Sequence, residues 1–409
     1  MAQNNEKPRI ALIVPDLVSD GGLPSVTLFL LRIIEASGMF QADIVSVASS
    51  ARDPTSVRLL SPPSWFRGVR AVDGVWQGRP YRHFGARLTE FEFQRYRPRR
   101  ILTRALNEYD LVQVIGGSPA WGLIARDIRP PVLLLAATLS RLERSTRLSK
   151  ERGLMGLWRR AMTSITERLD LKAIRSASTI YVINLSMLSR LREAGTKSQV
   201  LFAPPGVDTE LFRPSLNRKG DFILSVARFN DMRKNVRLLF SAYHLLRSRI
   251  PDAPRLILAG KHGPTRDDWN VAVSLGIADQ VEVREGLPAD DLAQLYRNAV
   301  LFVLPSDEEG LGIVLLEAMA SGTPVVSTRC GGPETVIVHG ETGFLTPVGD
   351  AQVLATQMQQ LLESPQLRRD MGAAGRRTIE ARFSLDVAGR AFLDKYTEIL
   401  SRGGRSCAV

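Results

Sequence analysis

Short apolar runs, each followed by an amphipathic stretch, constrain this chain more than any other feature. Arg9–Val14 (RIALIV), Ala42–Ser49, Tyr109–Ile115, Pro131–Thr138 and Thr179–Asn184 do not alternate apolar with polar residues. Strands that read this way are covered on both faces, as in a parallel sheet flanked by helices. Between them lie helical patterns such as Ser25–Ala36, with Pro24 suited to a first helical turn. The rhythm recurs beyond Gly220: Asp221–Phe229, Arg255–Gly260, Val281–Gly286, Leu301–Ser306 and Pro324–Cys330 read as strands, and Val236–Arg249 as a helix. Alternating strands and helices predict an α/β chain with two doubly wound parallel sheets.

A length of 409 residues suits two domains. The Pro- and Gly-rich segment Val200–Pro214 marks the junction, so the expected domains are 1–203 and 204–384. A tail helix near Leu385–Ser401 could end either, and residues 385–409 are placed with the first.

With 44% hydrophobic and 23% charged residues, the chain can bury a sizeable core, which excludes disorder as its main state. Two cysteines, Cys330 and Cys407, exclude a disulfide framework, and four scattered histidines predict no metal cluster. The polar N-terminus and apolar runs no longer than Pro131–Leu139 suggest neither a signal peptide nor a membrane span. The C-terminal Cys407-Ala-Val is one residue short of a prenylation box. The expected location is cytoplasmic.

The net charge of +12 is concentrated in the first half. Ala51–Arg104, which reads as an insertion, holds twelve arginines against four acidic residues. Arg141–Arg175 holds ten basic residues against four acidic. Such stretches suit anionic lipid headgroups on the inner face of a membrane, or a lipid-linked diphosphate. No nucleic-acid module accompanies them, so no nucleic-acid partner is expected. Tyr81–Arg100 interleaves aromatics with arginine, as a membrane interface or a helix face over a core stripe would. Trp65, Trp76 and Trp121 read first as core residues.

Chemistry concentrates in Ser306–Val336 (SDEEGLGIVLLEAMASGTPVVSTRCGGPETV). A strand ends near Pro305, the turn Glu309-Gly310-Leu311-Gly312 follows, and a helix runs from near Gly312 through Met319. Glycines let backbone approach a ligand, and a helix N-terminus presents free N–H groups to an anion such as a diphosphate. Glu309 and Glu317, eight residues apart, can meet hydroxyls at two places on an elongated ligand. A second cluster, Val226–Asn235 (VARFNDMRKN), sets Arg228 at the end of a strand and Lys234 six residues later. Two cations there can neutralise a diphosphate leaving group without a metal. Taken alone, each cluster also suits a solvated loop and helix start.

Together these segments resemble the retaining glycosyltransferases of family 4, which have the GT-B fold. The resemblance runs from about Val200 to Phe383 and includes PPGVDTELFRP, SVARFNDMRKNVRLL, LILAGKHGP, the E-x7-E segment Glu309–Glu317, ASGTPVVST and HGETGFLTP. It implies two Rossmann-like domains facing across a cleft, with the nucleotide sugar on the second and the acceptor on the first. Arg228 and Lys234 match the pair that grips the donor phosphates. Glu309 matches a glutamate on the transferred sugar, and Glu317 one on the nucleotide ribose. The N–H groups of Gly310, Leu311 and Gly312 match the turn that holds sugar hydroxyls and phosphate, and Gly22 a glycine facing the diphosphate.

The implied activity is metal-independent hexosyl transfer with retention, from a UDP or GDP sugar, with no separate cofactor. The implied acceptor is a glycan, a lipid-linked molecule or a small molecule, in surface polysaccharide or glycolipid synthesis. The first domain departs from the family pattern: Pro24 stands where a Glu is common, Gln113, Ile115 and Thr138–Ser140 where histidines are common, and Pro205 replaces an Asn. These departures point to an unusual acceptor or, alternatively, to a binding-only sensor of nucleotide sugars. A nicotinamide oxidoreductase would need G-x-G-x-x-G; Gly21-Gly22 lacks that spacing, and Leu315 stands where Gly310-x-Gly312 needs its third glycine. An epimerase or phosphorylase could share the fold, but no segment suggests a phosphorylase cofactor lysine. His262 could lie near a nucleotide, and Cys330 reads as a buried apolar residue.

Overall fold

The computed structural model describes residues 7–15, 17, 22–145, 148, 152–215 and 220–404; Gly21 and Cys407 lie outside these. The chain divides into two compact units, one running to Pro204 and resuming at Gly389, the other Pro205–Ala388. The division falls one residue beyond the expected boundary, and the first four residues of the tail helix belong to the second unit.

The first unit holds eight strands: β1 Arg9–Pro15, β2 Gln41–Val47, β3 Ala71–Trp76, β4 Arg79–Phe84, β5 Leu111–Gly116, β6 Val132–Ala136, β7 Thr179–Val182 and β8 Gln199–Phe202. Their order is β3-β4-β2-β1-β5-β6-β7-β8, parallel throughout except for β3. The stretch that reads as an insertion thus supplies an antiparallel hairpin to the sheet edge. Its turn, Gln77-Gly78, has positive φ at both residues, which matches the twist of a two-residue hairpin. Tyr81–Arg100 is divided between strand β4 and a short 3-10 turn, Glu92–Tyr96, and does not form one helix.

The core of this unit follows the non-alternating runs. Ile10–Val14, Leu111, Val112 and Leu133–Ala136 are buried on both sheet faces. Trp121 packs edge-on against Tyr96 at 4.9 Å, whereas Trp65 is half-exposed and donates its indole N–H to the Arg58 carbonyl. The helix Gly153–Ser176 carries buried Asp170, which accepts the backbone N–H groups of Ala120 and Ser140 at 2.9 Å. The tail helix Leu385–Gly404 sets Phe392 against Phe29 and Tyr181, and the Tyr396 hydroxyl on Gln113 Oε1 at 3.2 Å. Gln113 is therefore a buried core residue.

The second unit holds six parallel strands: β9 Phe222–Val226, β10 Arg255–Gly260, β11 Val281–Glu285, β12 Leu301–Leu304, β13 Val325–Thr328 and β14 Phe344–Thr346. Their order, β11-β10-β9-β12-β13-β14, reverses between β9 and β12. The helix Val236–Arg249 buries one stripe, Leu239, Phe240, Tyr243 and Leu246, against the sheet. Among the described residues, no helix is long and apolar enough to cross a membrane.

Candidate functional site

Ligands of open α/β sheets bind beyond the carboxyl ends of the strands, where the strand order reverses. In the second unit that place lies between β9 and β12, which pair through Ile223 with Leu301 and Leu224 with Phe302. The loop after β9 carries Arg228 to Asn235, and the loop after β12 carries Ser306 to Gly312.

The β9 loop is shaped by its own carboxylate. Asp231 accepts from Arg228 at 3.2 Å and from the backbone and side chain of Arg233, with a shortest contact of 2.8 Å. These charge-assisted bonds outweigh its burial and hold its pKa down at about 2. Asn235, at φ +44°, caps the helix Val236–Arg249 by accepting the Leu238 N–H. Its amide also donates to Asp307 at 2.6 Å, which ties the β9 loop to the β12 loop.

Across that tie, Lys234 Nζ donates to Glu309 Oε1 at 2.7 Å. Their side chains are only 15% and 10% exposed, so water screens this pair weakly. Ser306 Oγ donates to the same carboxylate oxygen at 2.7 Å. A lysine ammonium has three donors, so two remain for another acceptor.

The turn after Glu309 depends on a close approach. The Glu309 N–H bonds the Cys330 carbonyl, and Glu309 bridges to Gly331. A Cβ on Gly332 would stand 2.7 Å from the Leu311 backbone. Gly312, at φ +84°, then starts the helix Ile313–Ala320. On that helix Glu317 accepts the hydroxyl of fully buried Tyr296 at 2.7 Å. Burial raises the Glu317 carboxyl to about 7 despite this bond.

Of the eight residues singled out, seven (Arg228, Lys234, Glu309, Gly310, Leu311, Gly312 and Glu317) stand on the two loops and one helix at this switch point. Gly22 belongs to the first unit, where it opens the helix Gly22–Ser37 and has open space at its Cβ position. His262 is exposed, and its carbonyl accepts the Phe229 N–H. The Cys330 thiol is held protonated, chiefly by burial and then by the charge of Glu309. Sequence reasoning missed Ser306, Asp307, Asn235, Asp231 and Tyr296. Only Asn235, before an apolar-periodic stretch, carries a readable signal, that of a helix cap. Among the described residues, no group of three or more His, Cys, Asp or Glu could hold a metal ion.

Residues 207–378 match the family model described as Glycosyl transferases group 1. The second unit carries a glycosyl transferases group 1 domain. All seven gathered residues fall within the matched stretch. A D-inositol 3-phosphate glycosyltransferase of Frankia alni is 35% identical over 216 residues, 48% of this chain and 52% of that protein. A GDP-mannose-dependent alpha-(1-6)-phosphatidylinositol monomannoside mannosyltransferase of Mycolicibacterium smegmatis is 33% identical over 220 residues, 49% of this chain and 57% of that protein. The chain thus spans about half the length of the curated relatives it matches.

Likeness in fold extends further. Sucrose-phosphate synthase from Thermosynechococcus elongatus superposes with a TM-score of 0.75 at 22% identity, over 97% of this chain and 100% of that one. HepE of Anabaena, solved in complex with UDP-glucose, gives 0.68 at 17% identity, over 95% and 99%. The fold is GT-B, with two parallel-sheet α/β units in one chain. Within the group 1 domain, the gathered set offers two cations, a turn of backbone N–H groups and two carboxylates.

Proposed function

We propose that the chain is a retaining hexosyltransferase that moves a sugar from a UDP or GDP donor to an acceptor hydroxyl. The observation that carries this reading is the Lys234–Glu309 pair, with Arg228 on the same loop as Lys234, at the switch point of a group 1 domain. In this reading Arg228 and Lys234 take the diphosphate charge as it develops, which is where preorganised donors act most strongly. The N–H groups of the Gly310–Gly312 turn hold phosphate and sugar hydroxyls. Glu309 accepts from hydroxyls of the transferred ring, and Glu317, oriented by Tyr296, accepts from the ribose.

The bond from the anomeric carbon to the phosphate oxygen breaks as the bond to the acceptor oxygen forms on the same face. The acceptor's proton passes to the departing diphosphate. One relative whose name carries GDP-mannose, and a fold neighbour bound to UDP-glucose, support both donor types. The relatives' named acceptors favour a glycolipid or a phosphorylated small molecule over a polysaccharide.

Exposed Leu60, Phe66 and Leu154 among the arginines support a peripheral place on an anionic membrane. The test is turnover with matched donor and acceptor in excess chelator, with product configuration read by NMR. Undiminished, retained product is expected. Loss on chelation, or inversion, contradicts the reading.

A further inference from the structure

The first unit holds a cavity of about 590 Å³ lined by Arg87, Arg97, Arg99, Arg100 and Gln94. It lies beyond the carboxyl ends of β2 and β4. Arg99, only 8% exposed, sits there with its guanidinium on the carbonyls of Ala48, just past β2, Phe84, the last residue of β4, and Arg95. Its Nε is buried with no partner. Arg87, Arg97 and Arg100 are exposed, and no carboxylate pairs with them among the described residues.

Nearby acids are committed elsewhere. Asp53, whose charge reaches Arg99, is held by His83 at 2.7 Å and by Thr55 and Ser56. Glu92 pairs with Arg144, and Glu90 accepts the Leu59 N–H. Four guanidiniums with only the committed Asp53 charge reaching one of them repel one another, and a bound anion reduces that cost. Their planar donor forks match phosphate oxygens.

We propose that the Arg87–Arg97–Arg99–Arg100 cavity of the first unit is a binding site for a phosphate group. The phosphate can belong to a soluble ligand or to a lipid headgroup, and the chemistry of recognition is the same. The inference stands on the first unit alone and does not rest on the glycosyl-transfer reading.

Inorganic pyrophosphate is titrated calorimetrically into the full chain, into Arg87→Gln/Arg100→Gln and into Arg228→Ala/Lys234→Ala. The altered arginines of the first pair are exposed, so the fold should survive; circular dichroism checks this. The proposal expects Arg87→Gln/Arg100→Gln to weaken one binding event about tenfold or more, while Arg228→Ala/Lys234→Ala retains that event. UDP and GDP binding is followed in the same variants, so a failure of the donor reading shows separately. Sedimentation with phosphatidylglycerol vesicles identifies the source: vesicle binding lost in Arg87→Gln/Arg100→Gln assigns a lipid headgroup, and pyrophosphate binding without it assigns a soluble ligand. Pyrophosphate and vesicle binding that are both indifferent to Arg87→Gln/Arg100→Gln overturn the proposal.

Discussion

At the residue scale, the site is a set of buried polar groups that restrain one another. Lys234 and Glu309 are mostly out of water, so removing Lys234 leaves the Glu309 charge without its cation and with Ser306 Oγ as its remaining side-chain donor. Lys234→Ala should destabilise the chain by about 1–3 kcal/mol in urea unfolding. Adding Glu309→Gln should recover part of that loss, and purely additive effects would contradict the pairing. Glu317 gives a pH signature. Folding raises its carboxyl from 4.5 to about 7, so between these values the folded chain keeps a proton that the unfolded chain has released. Stability from this group is present below pH 4.5 and is lost as pH rises through 7. Glu317→Gln removes the titration. Relative to the parent it should gain up to about 3 kcal/mol across that window, read by unfolding at several pH values.

Little of this was legible in the sequence. Lys234 and Glu309 are 75 residues apart, and their contact follows from β9 and β12 being neighbours. The sequence motifs mark which residues stand on these loops, and not how they pair. Tyr296 looks like any apolar-stripe residue of its helix, and its hydroxyl contact with Glu317 is visible only in three dimensions.

At the element scale, fully buried runs were the readable ones. The helix Val236–Arg249 and the strand Arg255–Gly260 have the bounds that the sequence predicts. The β3–β4 hairpin escaped because it is an edge with solvent on it. Val72 and Val75 are exposed, four arginines fall from Arg67 to Arg82, and the turn is Gln77-Gly78 and not the stronger Asn-Gly signal. β14 has three residues, too few for a pattern. The turn Glu309–Gly312 was readable from its glycines, whereas its support was not. Gly332 has an ordinary negative φ and is required for space alone. Gly332→Ala should push Leu311 and the turn outward and weaken nucleotide binding about tenfold or more, with a smaller effect on melting temperature. Unchanged binding would mean that the turn does not hold the ligand.

At the scale of the whole molecule, two sheets with opposite loading share one chain. The second unit carries the group 1 domain and the gathered site. The first carries the arginine excess, an edge hairpin and the positions that depart from the resembled family. One departure has a structural reason: Gln113 is bonded to Val114 and Leu133 carbonyls and to Tyr396 of the tail helix, so it serves the core. Doubly wound architecture was legible because both sheets are buried on two faces. The tail helix's attachment to the first unit rests on contacts hundreds of residues apart in sequence, such as Tyr396 with Gln113.

In the proposed reading the β9–β12 switch point binds a nucleoside diphosphate sugar through Arg228 and Lys234. Its most direct test is the melting temperature of the purified chain with UDP, GDP and their sugar conjugates. At about 100 times its dissociation constant a ligand stabilises the fold by about 2.7 kcal/mol, a shift of a few degrees. Such a shift is expected with UDP or GDP, and its loss in Arg228→Ala. A shift that persists in Arg228→Ala and Lys234→Ala, or none with any nucleotide, would contradict it.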